Sequence, residues 1–271
     1  MWKTMKIGWG LAWQQPFAVC MLFIYNLCWG VLLYRMVRSV VVPLLHRYPG
    51  DELSREAVQL FWAEAQFQLM KTDLIHPYVW WAVCLLLTRM IITPLLNAGV
   101  FYSLEHTGVN AGYRFVQGIR QYALAFAGLY ALQTLLILAP LYLLVRRVTA
   151  AYAHQANLSS LAWDAAPLIA GYIVYVFVVQ IMVMYMQFGK LKRLPAGKVL
   201  QVLCRNVLSV TLLAVGVFLV TACISAAVTG AAMLWAGFAA FLGLQAFRLV
   251  HMFLKMWAIT TQYALWSTQI D

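Results

Sequence analysis

Residues 207–228 read VLSVTLLAVGVFLVTACISAAV, 22 positions without a charge or a proline. A helix needs about 20 such residues to cross the roughly 30 Å hydrocarbon core of a bilayer. A helix that is apolar all round has no face to turn towards water. Five further apolar runs flank this one. They cover 16–33, 77–104, 123–145, 166–188 and 231 to about 254. Arg89 lies inside the second run, Arg146 and Arg147 close the third, and Lys190, Lys192 and Arg193 follow the fourth. The pattern predicts an all-α, polytopic transmembrane bundle of about six helices, forming a single integral membrane domain over 1–271.

Composition agrees with this reading. The chain is 64% hydrophobic and 10% charged, against about 45–50% and 25% in soluble domains. Too few charged side chains are present to cover the apolar surface of a soluble protein this size. The net charge of +11 comes from basic residues near the ends of apolar runs. There, anionic head groups and the positive-inside bias act on them. The expected partner is therefore a lipid bilayer, including anionic lipid head groups, rather than nucleic acid. Cys20, Cys28, Cys84, Cys204 and Cys223 form no CxxC pair, and read as small buried hydrophobes rather than metal ligands or a disulfide framework. The first apolar run follows MWKTMK and has no small-x-small cleavage site after it, so it reads as an uncleaved first helix.

Three units recur, each a short basic lead-in followed by two apolar helices. The lead-ins are 2–15, 112–122 and 197–206. Gly112 precedes Arg120, and Gly197 precedes Arg205, by the same eight residues. This predicts three tandem hairpins with short interfacial helices. Lys3, Lys6, Arg114, Arg120, Lys190, Lys192, Arg193, Lys198 and Arg205 share one side in this topology. Their excess places both termini in the cytoplasm of a multi-pass cell-membrane protein. The largest segment outside the bilayer is 46–76, where Asp51 is a candidate N-cap and an amphipathic helix follows. Trp9, Trp13, Tyr78, Trp80, Trp81, Trp163, Trp257 and Trp266 mark run ends, as expected of rings at head-group level. Small residues recur every fourth position at Ala123, Ala127 and Ala131, and at Ala222, Ala226 and Gly230. Such faces let helix backbones approach in lipid.

Candidate functional residues are the polar groups inside the apolar runs. An unpaired arginine at the centre of a membrane helix costs at least about 2.5–3.5 kcal/mol. Arg89 is thus a candidate counter-charge for an anionic substrate. Arg248, His251 and Lys255 fall at spacings of three and four on the last helix, hence on one face. Gln180 and Asn97 are uncharged candidates on a substrate path. With Asn26, Gln133 and Gln245 they also suit interhelical hydrogen bonding. His46, His76, His106 and His154 carry no HxxxH or HExxH spacing, and no metal or cofactor is expected. GxSxG, GxxxxGK[ST] and paired intramembrane carboxylates are absent from the sequence, so no catalytic residue is assigned. Asn157-Leu158-Ser159 has the form of a glycosylation acceptor.

The lead-in and hairpin units, especially PLLNAGVFYSLEH followed by GYRFVQGIRQY within residues 94–122, resemble a group of bacterial six-helix membrane domains, mostly uncharacterised. One relative in that group is the membrane domain joined to some glycerophosphoryl diester phosphodiesterases. The resemblance covers most of the chain and implies a helical membrane domain. It transfers no active site: His46-Arg47 is followed by Tyr48-Pro49, which breaks such an enzyme's opening motif. Three functional expectations remain. The first is a transport-associated protein, permease-like or a transporter accessory subunit. The second is a structural or regulatory scaffold that meets a membrane-protein partner or its own copies. The third is an intramembrane enzyme acting on lipid.

Overall fold

A computed structural model of the chain describes residues 1–47, 76–154, 158–235 and 237–270. Every regular element among them is α-helical. In order these are α1 (Trp2–Trp13), α2 (Pro16–Arg47), α3 (His76–Glu105), α4 (Ala111–His154), α5 (Leu158–Leu191), α6 (Ala196–Arg205), α7 (Val207–Leu234) and α8 (Phe238–Ile270). Most of the segment expected to form an amphipathic helix over 46–76 lies outside the described residues, as does Asn157. Five described helices are long and apolar enough to cross a membrane: Pro16–Ser39, Tyr78–Glu105, Ala111–Thr149, Ala165–Leu191 and Val207–Leu234. Little of their surface is covered; only 17% of the most apolar window of α7 is buried. Leu124 and Leu234 are each 91% exposed. Surfaces of this kind are stable in hydrocarbon and not in water, which makes the chain an integral membrane protein.

The chain divides into two compact units, residues 21–93 and residues 1–20 with 94–271. In the first, α2 and the first part of α3 run antiparallel. The Tyr25 and Thr93 hydroxyls are 3.0 Å apart, the Arg89 guanidinium lies 5.4 Å from the centroid of the Trp29 ring, and the Tyr78 hydroxyl donates to the Ser39 carbonyl.

The second unit holds the larger core, which gathers at one end of its helices. Buried side chains concentrate in 94–104 of α3, 179–191 of α5 and 254–266 of α8. Helix α1 lies across this end of α8. The Trp257 indole donates to the Met5 carbonyl at 3.1 Å, and the Thr260 hydroxyl donates to the Gly8 carbonyl at 2.7 Å. Trp9 meets Phe253 and Trp257 edge to face. Gly8 permits the approach, because a Cβ there would collide with the backbone and hydroxyl of Thr261. The second lead-in uses the same device: a Cβ on Gly118 would meet Tyr102 and the Ala98 carbonyl of α3. So does the third, where Gly189 of α5 sits against Val199 of α6. Arg193, at φ 53, ends α5 in the left-handed conformation, and the Leu194 amide bonds back to the Gly189 carbonyl.

Arg114 ties three segments together. It is 4% exposed. One guanidinium nitrogen, Nη2, donates to the Gln14 carbonyl at 3.0 Å and to Gln15 Oε1 at 3.1 Å. The other, Nη1, donates to the carbonyls of Thr107 at 3.2 Å and His106 at 3.4 Å. The carbonyls at 14, 106 and 107 follow the ends of α1 and α3, where helix carbonyls lack intrahelical partners and carry the negative end of the dipole. Gln15 Nε2 donates to the Ser103 carbonyl at 2.8 Å, and the Ser103 hydroxyl returns a bond to Gln15 Oε1 at 2.9 Å.

Several expectations change here. The lead-in at 112–122 is continuous with the helix after it, giving a 44-residue α4. The turn expected near 225–230 lies instead after Leu234, and α8 runs on to Ile270. The last helix, expected to be a sixth apolar span over 231–254, is not among the five. Its polar residues continue to the C-terminal end, because that half packs against protein. Trp257 and Trp266, expected at head-group level, are 6% and 0% exposed for the same reason. All five cysteines, expected buried, are exposed on helix surfaces, where hydrocarbon leaves a thiol no reason to seek a core. The faces of Ala127 with Ala131, and of Ala222, Ala226 and Gly230, are also exposed.

Arg114→Met should lower the thermal stability of the detergent-solubilised chain by about 2–4 kcal/mol, because end-of-helix carbonyls lose a charged donor. Arg114→Lys should recover only part of this, since an ammonium cannot span the fork. Gly8→Ala should cost about 1–3 kcal/mol through overpacking against Thr261. Gly10→Ala, with nothing within 4 Å of the added carbon, should be neutral or mildly stabilising. Equal melting temperatures for Gly8→Ala and Gly10→Ala would refute the docking of α1.

Candidate functional site

Helices α5, α7 and α8 enclose a groove of about 350 Å³. Its walls are mostly apolar, including Phe177 and Ile181 from α5, Val217 and Phe218 from α7, and Leu254 from α8. Its polar side chains are Gln180, Thr221, His251, Lys255 and Gln262, so every helix contributes at least one. Among the described residues the lining contains no carboxylate. Concave apolar walls with a few convergent polar groups are what small-molecule sites share.

Depth follows from helix geometry. The α5 lining residues end two turns before Leu191 and reach back four turns; the α7 residues lie two to four turns after Val207. At 1.5 Å per residue the groove therefore lies about 10–20 Å in from those helix ends.

The floor of the groove is fixed by a buried relay. The Tyr185 hydroxyl donates to Gln262 Oε1 at 3.0 Å, and Gln262 Nε2 donates to the Val210 carbonyl at 3.2 Å. Tyr185 packs edge to face on Trp266 with ring centroids 5.5 Å apart, and on Phe188 at 5.8 Å. One amide therefore joins α5, α7 and α8 and presents its other face to the groove. The Tyr263 hydroxyl donates to Glu105 Oε2 at 2.7 Å, linking the same part of α8 to the end of α3.

Of the residues singled out from sequence, Gln180 and His251 meet in this groove together with Lys255. Arg248 is exposed on α8 one turn before His251 and is not part of the lining. Asn97 is half-buried on α3, also outside the lining. Arg89 belongs to the other compact unit, stacked over Trp29. The Trp29 ring thus gives its charge an aromatic partner. Asn26 donates to the Leu22 carbonyl of its own helix. Interhelical bonds among the described residues include those of Gln15, Ser103, Arg114, Tyr172, Tyr175, Tyr185 and Gln262.

Sequence reasoning passed over Gln262 and Thr221 as lining residues. Gln262 follows Thr260 and Thr261 in a run of three polar residues. In a helix expected to leave the bilayer, such a run reads as its wet end. A second cavity, about 380 Å³ between α4 and α5, has Arg147 at its rim. The Tyr172 and Tyr175 hydroxyls there are already committed to the carbonyls of Ile137 and Leu136, so it offers less to a ligand.

Tyr185→Phe should leave Gln262 Oε1 short of a donor and cost about 1–2 kcal/mol. Gln262→Leu should cost a similar amount. The double variant should be less destabilised than the sum of the two by about 1 kcal/mol, since neither polar group is then stranded. Strict additivity of the melting shifts would contradict the relay. No known protein family matches the sequence, and comparisons with curated proteins and with solved structures give no match.

Proposed function

We propose that the chain is a transport-associated membrane protein that meets its substrate in the groove between α5, α7 and α8. The observation that carries this reading is the convergence of Gln180, His251 and Lys255 near the middle of the helices. Ionisable and amide groups within membrane helices commonly mark substrate pathways, and secondary transporters bind near the midplane.

The same reading makes α8 a sixth crossing. Helix α8 follows the far end of α7, yet Gln262 bonds to Val210 at its near end. A helix that starts beside one end of α7 and packs beside the other has travelled its length. Six crossings return the C-terminus to the side of α1, and the basic residues at 190–205 favour the cytoplasm of a cell membrane for that side. A second reading, a scaffold that recruits a membrane partner or its own copies, is favoured by the exposed small-residue face of Ala222, Ala226 and Gly230 on α7.

The test is water access. Ala258→Cys, in a chain whose five native cysteines are replaced by alanine, places a thiol in the groove. A charged, membrane-impermeant thiol reagent should label it in proteoliposomes within the same order of rate as an exposed loop thiol. A thiol at 258 that reacts only with lipid-soluble reagents would remove the transport reading and leave the scaffold.

A further inference from the structure

Pro140 interrupts the backbone ladder of α4. A proline has no N–H, so the carbonyl four residues back, at Leu136, loses its helical donor. From α5 the Tyr175 hydroxyl donates to that carbonyl at 3.0 Å, and the Tyr172 hydroxyl donates to the adjoining Ile137 carbonyl at 3.1 Å. In a membrane, neighbouring helices commonly satisfy the groups that a proline frees. Here the substitute is a side-chain bond between two helices. It can break and re-form without unwinding either of them.

The two sides of Pro140 are packed differently. Before it, Leu136 and Ile137 lie against a core cluster of Leu129, Val179 and Val183. After it, none of residues 141–149 is buried. The cavity of about 380 Å³ opens there, between Leu143 and Leu144 of α4 and Leu168 and Gly171 of α5. A Cβ added at Gly171 would meet nothing within 4 Å. The arm of α4 beyond Pro140 thus has an anchored base, a weakened rung and room on the side of α5.

We infer that α4 is hinged at Pro140 and latched by Tyr172 and Tyr175. When these hydroxyls let go, the arm at 141–149 swings onto α5 and closes the cavity. Long helices kink at prolines, and hinge motions are absorbed by a few residues. Tyr175 carries more of the latch than Tyr172, because Leu136 is the carbonyl without a helical donor. The groove shares this helix, since Phe177, two residues after Tyr175, lines it. The hinge stands on the α4–α5 geometry alone and does not depend on what the groove takes.

The test places thiols on opposite walls of the cavity, through Leu144→Cys and Leu168→Cys, in a chain whose native cysteines are replaced by alanine. The protein is reconstituted in vesicles and exposed to copper phenanthroline as oxidant. A disulfide needs Cβ atoms about 4 Å apart, so its rate of formation counts closures of the arm. Tyr175→Phe should speed it about fivefold, the equivalent of about 1 kcal/mol for one neutral hydrogen bond. With Pro140→Ala the Leu136 carbonyl regains a helical donor. Cross-linking should then slow, and adding Tyr175→Phe should change it by less than about twofold. Gly171→Phe, which fills the cavity, should slow it as well. A rate indifferent to Tyr175→Phe, or raised by it equally with and without Pro140, would overturn the hinge. So would immediate cross-linking in every variant, which means that the walls already touch. Its absence from every variant would equally overturn it, since the arm then does not close.

Discussion

An arginine with no carboxylate among its hydrogen-bond partners holds the larger unit together. Arg114 donates to the carbonyls that follow the ends of α1 and α3 and to the Gln15 amide. Two helix C-termini supply partial negative charge without a titratable group, and the Gln15 side-chain oxygen adds a neutral acceptor. This matters in a chain with eight acidic residues, of which 51–73 holds five. The arrangement ties the residues after α1 to the start of α4 and the end of α3.

The rest of that end follows the same economy. Helix α1 closes onto α8 through Met5, Gly8 and Trp9; 111–122 closes onto α3 through Gly118; α6 closes onto α5 through Val199. Each lead-in packs on the helix before it, and the first packs on the last. Polar bonds concentrate in this layer, while the faces further along α4, α5 and α7 remain apolar and exposed. The groove lies where these regimes meet. Below it Tyr185 and Gln262 complete a buried relay, and above it the outer faces of α5 and α7 are mostly apolar.

This inversion accounts for what sequence reading placed well and what it misplaced. Runs such as 207–228 and 77–104 were legible because lipid demands apolar side chains on every exposed face. The lead-ins were legible as repeated basic segments, although nothing in 112–122 announces that it joins α4 without a break. Trp257 and Trp266 went astray because an indole at a head group and an indole in a core look alike in a sequence. Nothing in the Thr260–Gln262 run by itself announces burial, because polar residues near a terminus ordinarily face water. Here they are 0–3% exposed, with Thr260 bonded to α1 and Gln262 to α5 and α7. Arg89 announced a cost, but only geometry supplied Trp29.

From the sequence alone came the solvent: long apolar runs with basic ends belong in a bilayer, since every backbone and side chain in them must be satisfied without water. Local composition suffices for that, because transfer into hydrocarbon is a sum over residues. Tertiary structure alone decided which polar groups meet. Gln180, His251 and Lys255 share a groove while Arg248 stands outside it, one turn away on the same helix. Arg114, one basic residue among nineteen, became the tie between helix ends. Such choices depend on the rotation of each helix about its axis and on its crossing partner, and neither is written in the hydropathy of a single segment.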